Sequence, residues 1–469
     1  MKASLRIFFF WITFVLLRLD FYRGNSCGGV VKAITVTNTP ISGKRICIVG
    51  GGPVGLFQAI ILLHRDSSAL VSVFERQPER SRTVNAFGIG ISARVQQSLS
   101  TVPGLLEMVE QKCVRGKVAN LISRTDLSDQ LRKFLTSRYP QCKLCYQEGC
   151  HSIDFDQHCF TTTKGQEVKY DLLVAADGVN SFVRKQLVQK KKLKERHYLS
   201  RLKWKSLVMP PQTCLEPESF QPLLHKDLVT GRVLAKYPKG HIFLLFWEGD
   251  KNPGSIQTSD DLKEMLQEAV QGNFRTKINP LKRLFLSSEQ ALVVDTNNTL
   301  VFNQAAIDEF LAMPPGKSHT VKVDRFHDDS VVLVGDSAHG MYNLLGQGCS
   351  CGMKSAQILS DCLVVEDINS DSNAAKDMDF HERLVAYTKR ALPEAHAITD
   401  LNLIGNLFRS NLLLKLASLP LITIQNVRKK GIFQLIRKPD ASYQDIVKSN
   451  RLIVWLAKMA WWLDRVPAK

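Results

Sequence analysis

Lys44-Arg45-Ile46-Cys47-Ile48-Val49-Gly50-Gly51-Gly52-Pro53-Val54-Gly55 decides the fold of this chain. Ile46 to Val49 is unbroken in its apolarity, as a strand buried on both faces must be. The glycines that follow have separate tasks. Gly50 permits a tight turn, Gly52 lets the backbone approach a pyrophosphate, and Gly55 lets a helix pack closely on a strand. Leu56 to Leu63 predicts that helix, whose N-terminus turns free N–H groups and the positive end of its dipole toward phosphates. Leu70 to Phe74 predicts a second strand ending at Glu75-Arg76. The Glu75 carboxylate comes twenty residues after Gly55, where it can accept hydrogen bonds from an adenosine ribose. Strand, glycine turn, helix, strand and acid in this order predict an α/β dinucleotide fold beginning at Lys44.

Two later stretches say which dinucleotide. Tyr170 to Ala176 predicts a strand that breaks into the turn Asp177-Gly178, with Arg184 beyond it. Val331 to Val334 predicts another, ending in Gly335-Asp336 and leading through Gly346-Gln347-Gly348 into a helix at Cys349. Singly, each is a strand followed by turn residues. In this order and separation they resemble the three fingerprints of the aromatic-hydroxylase group of FAD-dependent monooxygenases. Arg124, Leu127 and Leu131 match a further feature of that group, Arg-x-x-Leu-x-x-x-Leu on a helix. The resemblance implies that Arg124 reaches the flavin phosphates, that Asp177 lies near the pyrophosphate and the NAD(P)H path, and that Asp336 holds the ribityl chain. A helix N-terminus at Gly348 would stabilise negative charge on reduced flavin.

Within the group, the sequence is most similar to the kynurenine 3-monooxygenase branch over most of residues 44–410. Ile122 to Leu127, Ser137 to Pro140, and Leu392 to Leu401 carry that likeness, and Asn85, Ile91-Ser92 and Arg94 resemble a loop near the flavin. The departures concern the substrate. In that branch, basic residues before the arginine helix and a tyrosine on a hairpin bind an amino-acid carboxylate. Here Cys113-Val114-Arg115-Gly116-Lys117 passes almost directly to Ser123-Arg124, so the hairpin is short and its tyrosine absent. Arg115 and Lys117 remain as substrate-binding candidates, although Lys lacks the bidentate fork of Arg. Ile404 and Asn406 stand where tyrosines are usual, Asn343 and Ser350 replace the residues flanking Gly-Gln-Gly, and Lys354-Ser355 replaces Glu-Asp.

Composition frames these expectations. With 469 residues, 44% hydrophobic and 23% charged, the chain has the makeup of a folded protein of more than one domain. The formal charge of +18 asks for a partner. Basic and aromatic residues do not alternate along one stretch, which argues against nucleic acid. The densest run, Lys190 to Arg196, reads as a solvated linker or helix end, with an anionic membrane surface as the alternative. Eleven cysteines without regular spacing point to free thiols in a reducing compartment. Cys142 and Cys145 form a CxxC ahead of Cys150, His151, His158 and Cys159, but no second pair completes a zinc set, and no metal is expected.

Both ends are apolar. Lys2 and Arg6 precede the eleven-residue run Ile7 to Leu17, short of the ~20 residues of a spanning helix, and no small-residue cleavage site follows. Residues 1–43 therefore read as a targeting or anchor segment that leads to the membrane of an intracellular organelle. At the far end, Leu452 to Leu456 and Met459 to Leu463 form a tryptophan-rich segment between Arg451 and Arg465. A helix lying in a membrane interface and a helix docked on its own domain both need that pattern.

The expected architecture is a Rossmann-like FAD-binding domain assembled from residues 44–190 and 320–400. A β-sheet substrate domain is inserted at 191–319, and C-terminal helices occupy 401–469. Val233 to Tyr237 and His241 to Trp247 predict strands of the inserted sheet. The resemblance implies that NAD(P)H, bound transiently because only one dinucleotide fingerprint is present, reduces FAD, and that O₂ supplies an oxygen atom to an aromatic small molecule. His339 falls inside the Gly-Asp motif and reads as structural, and no catalytic acid or base is expected. Two other readings share the fold: oxidation or epoxidation of an apolar, membrane-dissolved substrate, and FAD binding without turnover.

Overall fold

A computed structural model describes residues 40–79, 88–114, 120–212, 220–223, 230–237, 240–248, 256–271, 300–342, 345–364, 379–409, 412–464 and 466–467. The apolar N-terminal run, Asn85, Arg115, Lys117 and Asn343 lie outside the described residues.

Four consecutive apolar residues can be buried only where both faces of a sheet are covered. Arg45–Val49 accordingly lies inside a six-stranded sheet, in the order His327–Asp328, Val331–Leu333, Leu172–Ala175, Arg45–Val49, Leu70–Glu75, Lys143–Tyr146. All neighbours are parallel except the first pair. The helix Pro53–Arg65 returns from the glycine turn and packs between the helices Arg124–Arg138 and Gly348–Val364. Gln58 donates to Ser360 Oγ at 2.9 Å and Arg65 pairs with Asp361 at 2.8 Å, fastening the first and third motifs back to back. In the arginine helix, Leu127 and Leu131 are fully buried.

Between the strands Leu172–Ala175 and Val331–Leu333 the chain builds an antiparallel sheet, in the order Phe220–Leu223, Thr230–Tyr237, Gly240–Glu248, Glu195–Met209, Gly316–Val323. One face covers the helices Ser259–Gln271 and Gln304–Ala312 through Leu207, Phe243, Trp247, Leu262 and Phe310. Along the same strand as Phe243, Ile242 and Leu244 meet Leu121, in the strand Asn120–Ser123 that leads into Arg124. The sheet therefore meets the segment that carries the arginine.

Arg184 joins the parts. Its guanidinium is fully buried and donates to Glu195 Oε2 at 2.7 Å, to the Ser337 carbonyl at 2.7 Å and to the Val179 carbonyl at 2.8 Å. The basic run that follows closes the helix Phe182–Gln189, and Lys192 pairs with Asp328 at 3.3 Å.

The C-terminal part begins with the helix Phe380–Asn402, opened by a capping box between Asp379 and Glu382. The helices Ile404–Arg409, Leu412–Val427, Tyr443–Ser449 and Arg451–Asp464 follow. The last of these is docked on the protein. Ile453, Val454, Ala457 and Ala460 are buried, Lys458 pairs with Asp400 at 2.8 Å, and Asp400 also holds Lys322 of the antiparallel sheet. Beyond it, Val466–Pro467 adds a short strand beside Tyr198 and Leu199. The helix nonetheless keeps Leu452, Trp455, Met459, Trp462 and Leu463 exposed, and the neighbouring helix exposes Leu413, Leu416, Ile424 and Val427. Among the described residues, no helix is long and apolar enough to cross a membrane.

A Cβ at position 55 would stand 2.0 Å from the Gly50 carbonyl oxygen, inside the contact between helix and turn. Gly55→Ala is expected to lower the unfolding free energy by about 1–3 kcal/mol, as overpacked cores do. Denaturant unfolding of the flavin-free protein measures it, and unchanged stability would contradict this packing.

Candidate cofactor and substrate site

Gly50 has φ +114°, and a Cβ there would lie 2.3 Å from the Ala176 carbonyl oxygen, so only glycine fits between the two central strands. The Gly51 N–H donates to Glu75 Oε2 at 2.7 Å, and the Gln77 N–H donates to Glu75 Oε1 at 2.8 Å. The acid at the end of the second strand thus braces the glycine turn. Each carboxylate oxygen has two acceptor positions, so capacity for a ribose hydroxyl remains. Arg76 is exposed next to Gly149.

The helix Pro53–Arg65 has Gly52 as its N-cap, with no side-chain cap and no acid in its first turn. Its leading N–H groups are therefore open to a ligand. Arg124 begins its own helix, which Ser123 caps by accepting the Asp126 N–H at 2.7 Å. A Cβ on Gly52 would lie 3.7 Å from Arg124 Nη2, so the guanidinium stands over the same helix N-terminus. Arg124 is exposed and has no ion-pair partner among the described residues. An unneutralised cation and an uncapped helix end, separated by the space of one missing side chain, form a cradle that fits a diphosphate.

Asp336 faces the same region. It is exposed although Val334, Gly335, Ser337, Ala338 and His339 around it are all buried. Enclosure by protein raises its pKa, while Arg124 and Arg184 pull it back. Gly348 begins the helix Gly348–Val364, without an acid in its first turn, and a Cβ there would stand 3.9 Å from Asp336 Oδ1. Gly52, Arg124, Asp336 and Gly348, from four separate segments, thus border one cleft.

The loop before Gly348 is held from the C-terminal part. Asn402 Oδ1 accepts the Leu345 N–H at 3.0 Å, Gln347 Nε2 donates to the Leu345 carbonyl at 3.2 Å, and the buried Tyr443 hydroxyl donates to Gln347 Oε1 at 2.9 Å. Gly346, at φ +62°, makes the bend. Tyr443 is itself clamped. Glu394 accepts the Ser442 hydroxyl at 2.6 Å and the Tyr443 N–H at 2.7 Å, and Arg94 lies 4.4 Å above the tyrosine ring. Sequence reading did not find Asn402 or Tyr443. Ser442 three residues before Asp445 does signal a helix start, but nothing local links that helix to Gln347.

Other expected residues are engaged elsewhere. Asp177 Oδ2 accepts the Phe182 N–H at 2.7 Å and the Val183 N–H at 3.3 Å, so this acid caps the following helix. Its other oxygen is buried without a partner, and burial raises its pKa. Arg94 donates to the carbonyls of Ile436, Lys438 and Ala441. Ile404 and Asn406 are buried, the amide of Asn406 bonded to the Leu403 carbonyl. Ser350 meets Ser92 at 3.1 Å, and Ser355 meets the Tyr387 hydroxyl at 2.6 Å. His339 is fully buried against Phe326, and burial brings its pKa down to about 4. The described cysteines are free, burial pushes Cys142 and Cys150 up to about 12, and no group of three potential ligands is close enough to hold a metal among the described residues.

Residues 157–400 match the FAD binding domain family. The chain belongs to that family. This flavoprotein is an FAD-dependent oxidoreductase of the monooxygenase type. It is 23% identical over 405 residues to kynurenine 3-monooxygenase of Sus scrofa, covering 78% of this chain and 76% of that one. With kynurenine 3-monooxygenase of Chaetomium globosum it shares 26% identity over 413 residues, covering 77% and 82%. Among solved structures, the tetrameric form of 2-methyl-3-hydroxypyridine-5-carboxylic acid oxygenase superposes with a TM-score of 0.55 at 22% identity, over 76% of this chain and 90% of that one.

Two outcomes test the site. Arg124→Met is expected to weaken FAD binding about tenfold or more, the equivalent of ~1.4 kcal/mol or more, in a fluorescence titration of the flavin-free protein; unchanged affinity would remove Arg124 from the cradle. The second concerns pH. His339 titrates at 6.5 when unfolded and at about 4 when folded. The unfolded chain therefore takes up the proton first, and the contribution of the neutral ring, complete above pH 6.5, is lost as pH falls toward 4. That loss is about 3 kcal/mol. Denaturant unfolding across this range should give a shallower slope for His339→Leu, with His319 and His327, also held near 4, supplying the remainder.

Proposed function

We propose that the flavoprotein uses NAD(P)H and O₂ to hydroxylate an electron-rich aromatic substrate, with kynurenine the first candidate. The observation that carries this reading is the convergence of Gly52, Arg124, Asp336 and Gly348 on one cleft, near which the antiparallel sheet meets the strand leading into Arg124. The kinship with kynurenine 3-monooxygenases supports the choice of substrate.

Bound FAD would supply the redox chemistry: two electrons from NAD(P)H, one oxygen atom of O₂ entering a ring C–H bond to give C–OH, the other leaving as water. The residues of the chain hold and orient. The Gly52 helix end and Arg124 would carry the diphosphate, Glu75 would receive the adenosine ribose, and Asp336 would take the ribityl hydroxyls. The Gly348 helix end, steadied by Asn402 and Tyr443, would offer its positive pole to negative charge on the reduced flavin. Ile242, Leu244 and Leu121 supply apolar cover that keeps water from the reacting ring. Arg115 and Lys117 are the candidates to receive the substrate carboxylate.

The exposed ridge has its own reading. Leu413, Leu416, Ile424 and Val427 lie at helical spacing, as do Leu452, Trp455, Met459 and Trp462, and the two helices are in contact. Arg428, Lys429, Lys430, Lys448 and Arg451 are exposed where these helices meet. An apolar stripe with a basic end suits the surface of an anionic membrane. That surface, with apolar Ile404 where the kynurenine branch has tyrosine, favours a second reading in which an apolar, membrane-dissolved substrate is oxidised or epoxidised.

NADPH oxidation by the flavin-loaded protein, followed with and without kynurenine, tests the proposal. Kynurenine is expected to stimulate oxidation at least severalfold and to yield 3-hydroxykynurenine. Oxidation indifferent to kynurenine and yielding only peroxide would reject kynurenine and turn the search to apolar aromatics.

A further inference from the structure

Two histidines that take no part in the flavin cleft meet in the antiparallel sheet. His197 and His319 belong to the neighbouring strands Glu195–Met209 and Gly316–Val323, with His197 Nε2 2.8 Å from His319 Nδ1 and the ring centres 5.1 Å apart. Nitrogens at this distance share a proton, so one ring donates and the other accepts. The outer nitrogens, His197 Nδ1 and His319 Nε2, have no hydrogen-bond partner among the described residues. Both side chains are half-buried, and neither outer nitrogen is sealed from solvent. The pair stands beside the Asp-Gly turn. His197 is in register with Val321, and a Cβ on Gly340 would meet Val321 at 3.2 Å and Val179 at 2.6 Å.

The charges around the pair are nearly all of one sign. Side chains alternate along a strand, so Lys317 shares the face of His319, and Lys203 stands directly opposite Lys317. Like charges set across two strands in this way are destabilising unless something lies between them. From the helix Phe182–Gln189, Arg184 and Lys185 act on both histidines. Lys185 and Lys317 are exposed and make no ion pair among the described residues. The acid nearest the pair, Glu195, is already committed to Arg184 at 2.7 Å. Burial first, and then these cations, push the pKa of both rings down, that of His319 to about 4. The cluster is thus short of an anion.

We propose that His197 and His319 form a binding site for a phosphate group. One proton taken up by the pair turns both outer nitrogens into N–H donors around a single positive charge, and such donors bond strongly to phosphate oxygens. With Lys185, Lys203 and Lys317 nearby, the cationic charge exceeds one unit, which suits a phosphate dianion better than a carboxylate. The bound anion in turn strengthens the hold of the pair on its proton. Binding is therefore tightest at low pH and weakens as pH rises through the pKa of the occupied pair. The phosphate belongs either to NAD(P)H or to a separate phosphorylated small molecule. Neither source depends on kynurenine being the substrate.

The test is a calorimetric titration of the full-length, flavin-loaded protein, in which FAD already fills its own diphosphate cradle. Sulfate is the probe, because it stays dianionic throughout the range from about pH 5.5 to about pH 7.5 in which histidines titrate. Its affinity is expected to fall severalfold across that range, with close to one proton taken up on binding as judged from buffers of different ionisation enthalpy. His319→Gln keeps a hydrogen-bonding amide but takes up no proton, and should bind sulfate severalfold more weakly at the acid end and without pH dependence. Lys317→Gln, at an exposed position, should weaken sulfate binding and preserve its pH dependence, and it carries the test if His319→Gln fails to fold. No sulfate binding, or binding that neither variant alters, would overturn the site. Repeating the titration with saturating NADP⁺, which leaves the flavin oxidised, separates the two sources. Loss of the sulfate signal assigns the site to the nicotinamide cofactor, and an undiminished signal assigns it to a separate phosphorylated ligand.

Discussion

The guanidinium of Arg184 has no access to water, and a buried charge is tolerable only when its donors are matched. Its three partners belong to three different parts of the molecule. Val179 follows the Asp-Gly turn, Ser337 lies in the Gly-Asp turn, and Glu195 opens the antiparallel sheet. Removing any one leaves a donor unpaired in a dry interior, at a cost of the order of several kcal/mol. The Asp-Gly turn, the Gly-Asp turn and the antiparallel sheet are therefore held by a single side chain. Ser337, the neighbour of Asp336, is held through its carbonyl by Arg184.

How much of this was legible follows from where the determinants lie. The strand Arg45–Val49, the glycine turn and the capped helix at Arg124 are local features, and the structure has them within a residue or two of their sequence signals. Asp177 occupies the place of the second fingerprint, and one of its carboxylate oxygens accepts N–H groups of the helix that follows, a contact the motif does not announce. Arg94 shows the limit of motif reading. Its partners are main-chain carbonyls of Ile436, Lys438 and Ala441, and a carbonyl has no sequence identity, so no pattern in the chain could announce the clamp. The Asn402 and Tyr443 contacts to the Gly-Gln-Gly loop span 57 and 96 residues and are equally silent.

The tryptophan-rich tail was ambiguous for a different reason. Periodicity identifies an apolar stripe but not what covers it, and this helix has two. Ile453, Val454, Ala457 and Ala460 face the protein, and Leu452, Trp455, Met459 and Trp462 face outward. Docking on the domain and contact with an interface each need one apolar face, and the helix has a face suited to each.

The attachments of that helix have a mechanical meaning. Asp400 bridges Lys458 on the helix and Lys322 in the antiparallel sheet, Trp461 stacks edge-on against Tyr198, and Val466–Pro467 is hydrogen-bonded to the strand that begins at Glu195. The outward tryptophans and the sheet are thus one stiff lever. The attachment at Tyr198 and Leu199 lies three and four residues from Glu195, so a tilt of the helix would act close to the point where Glu195 meets Arg184.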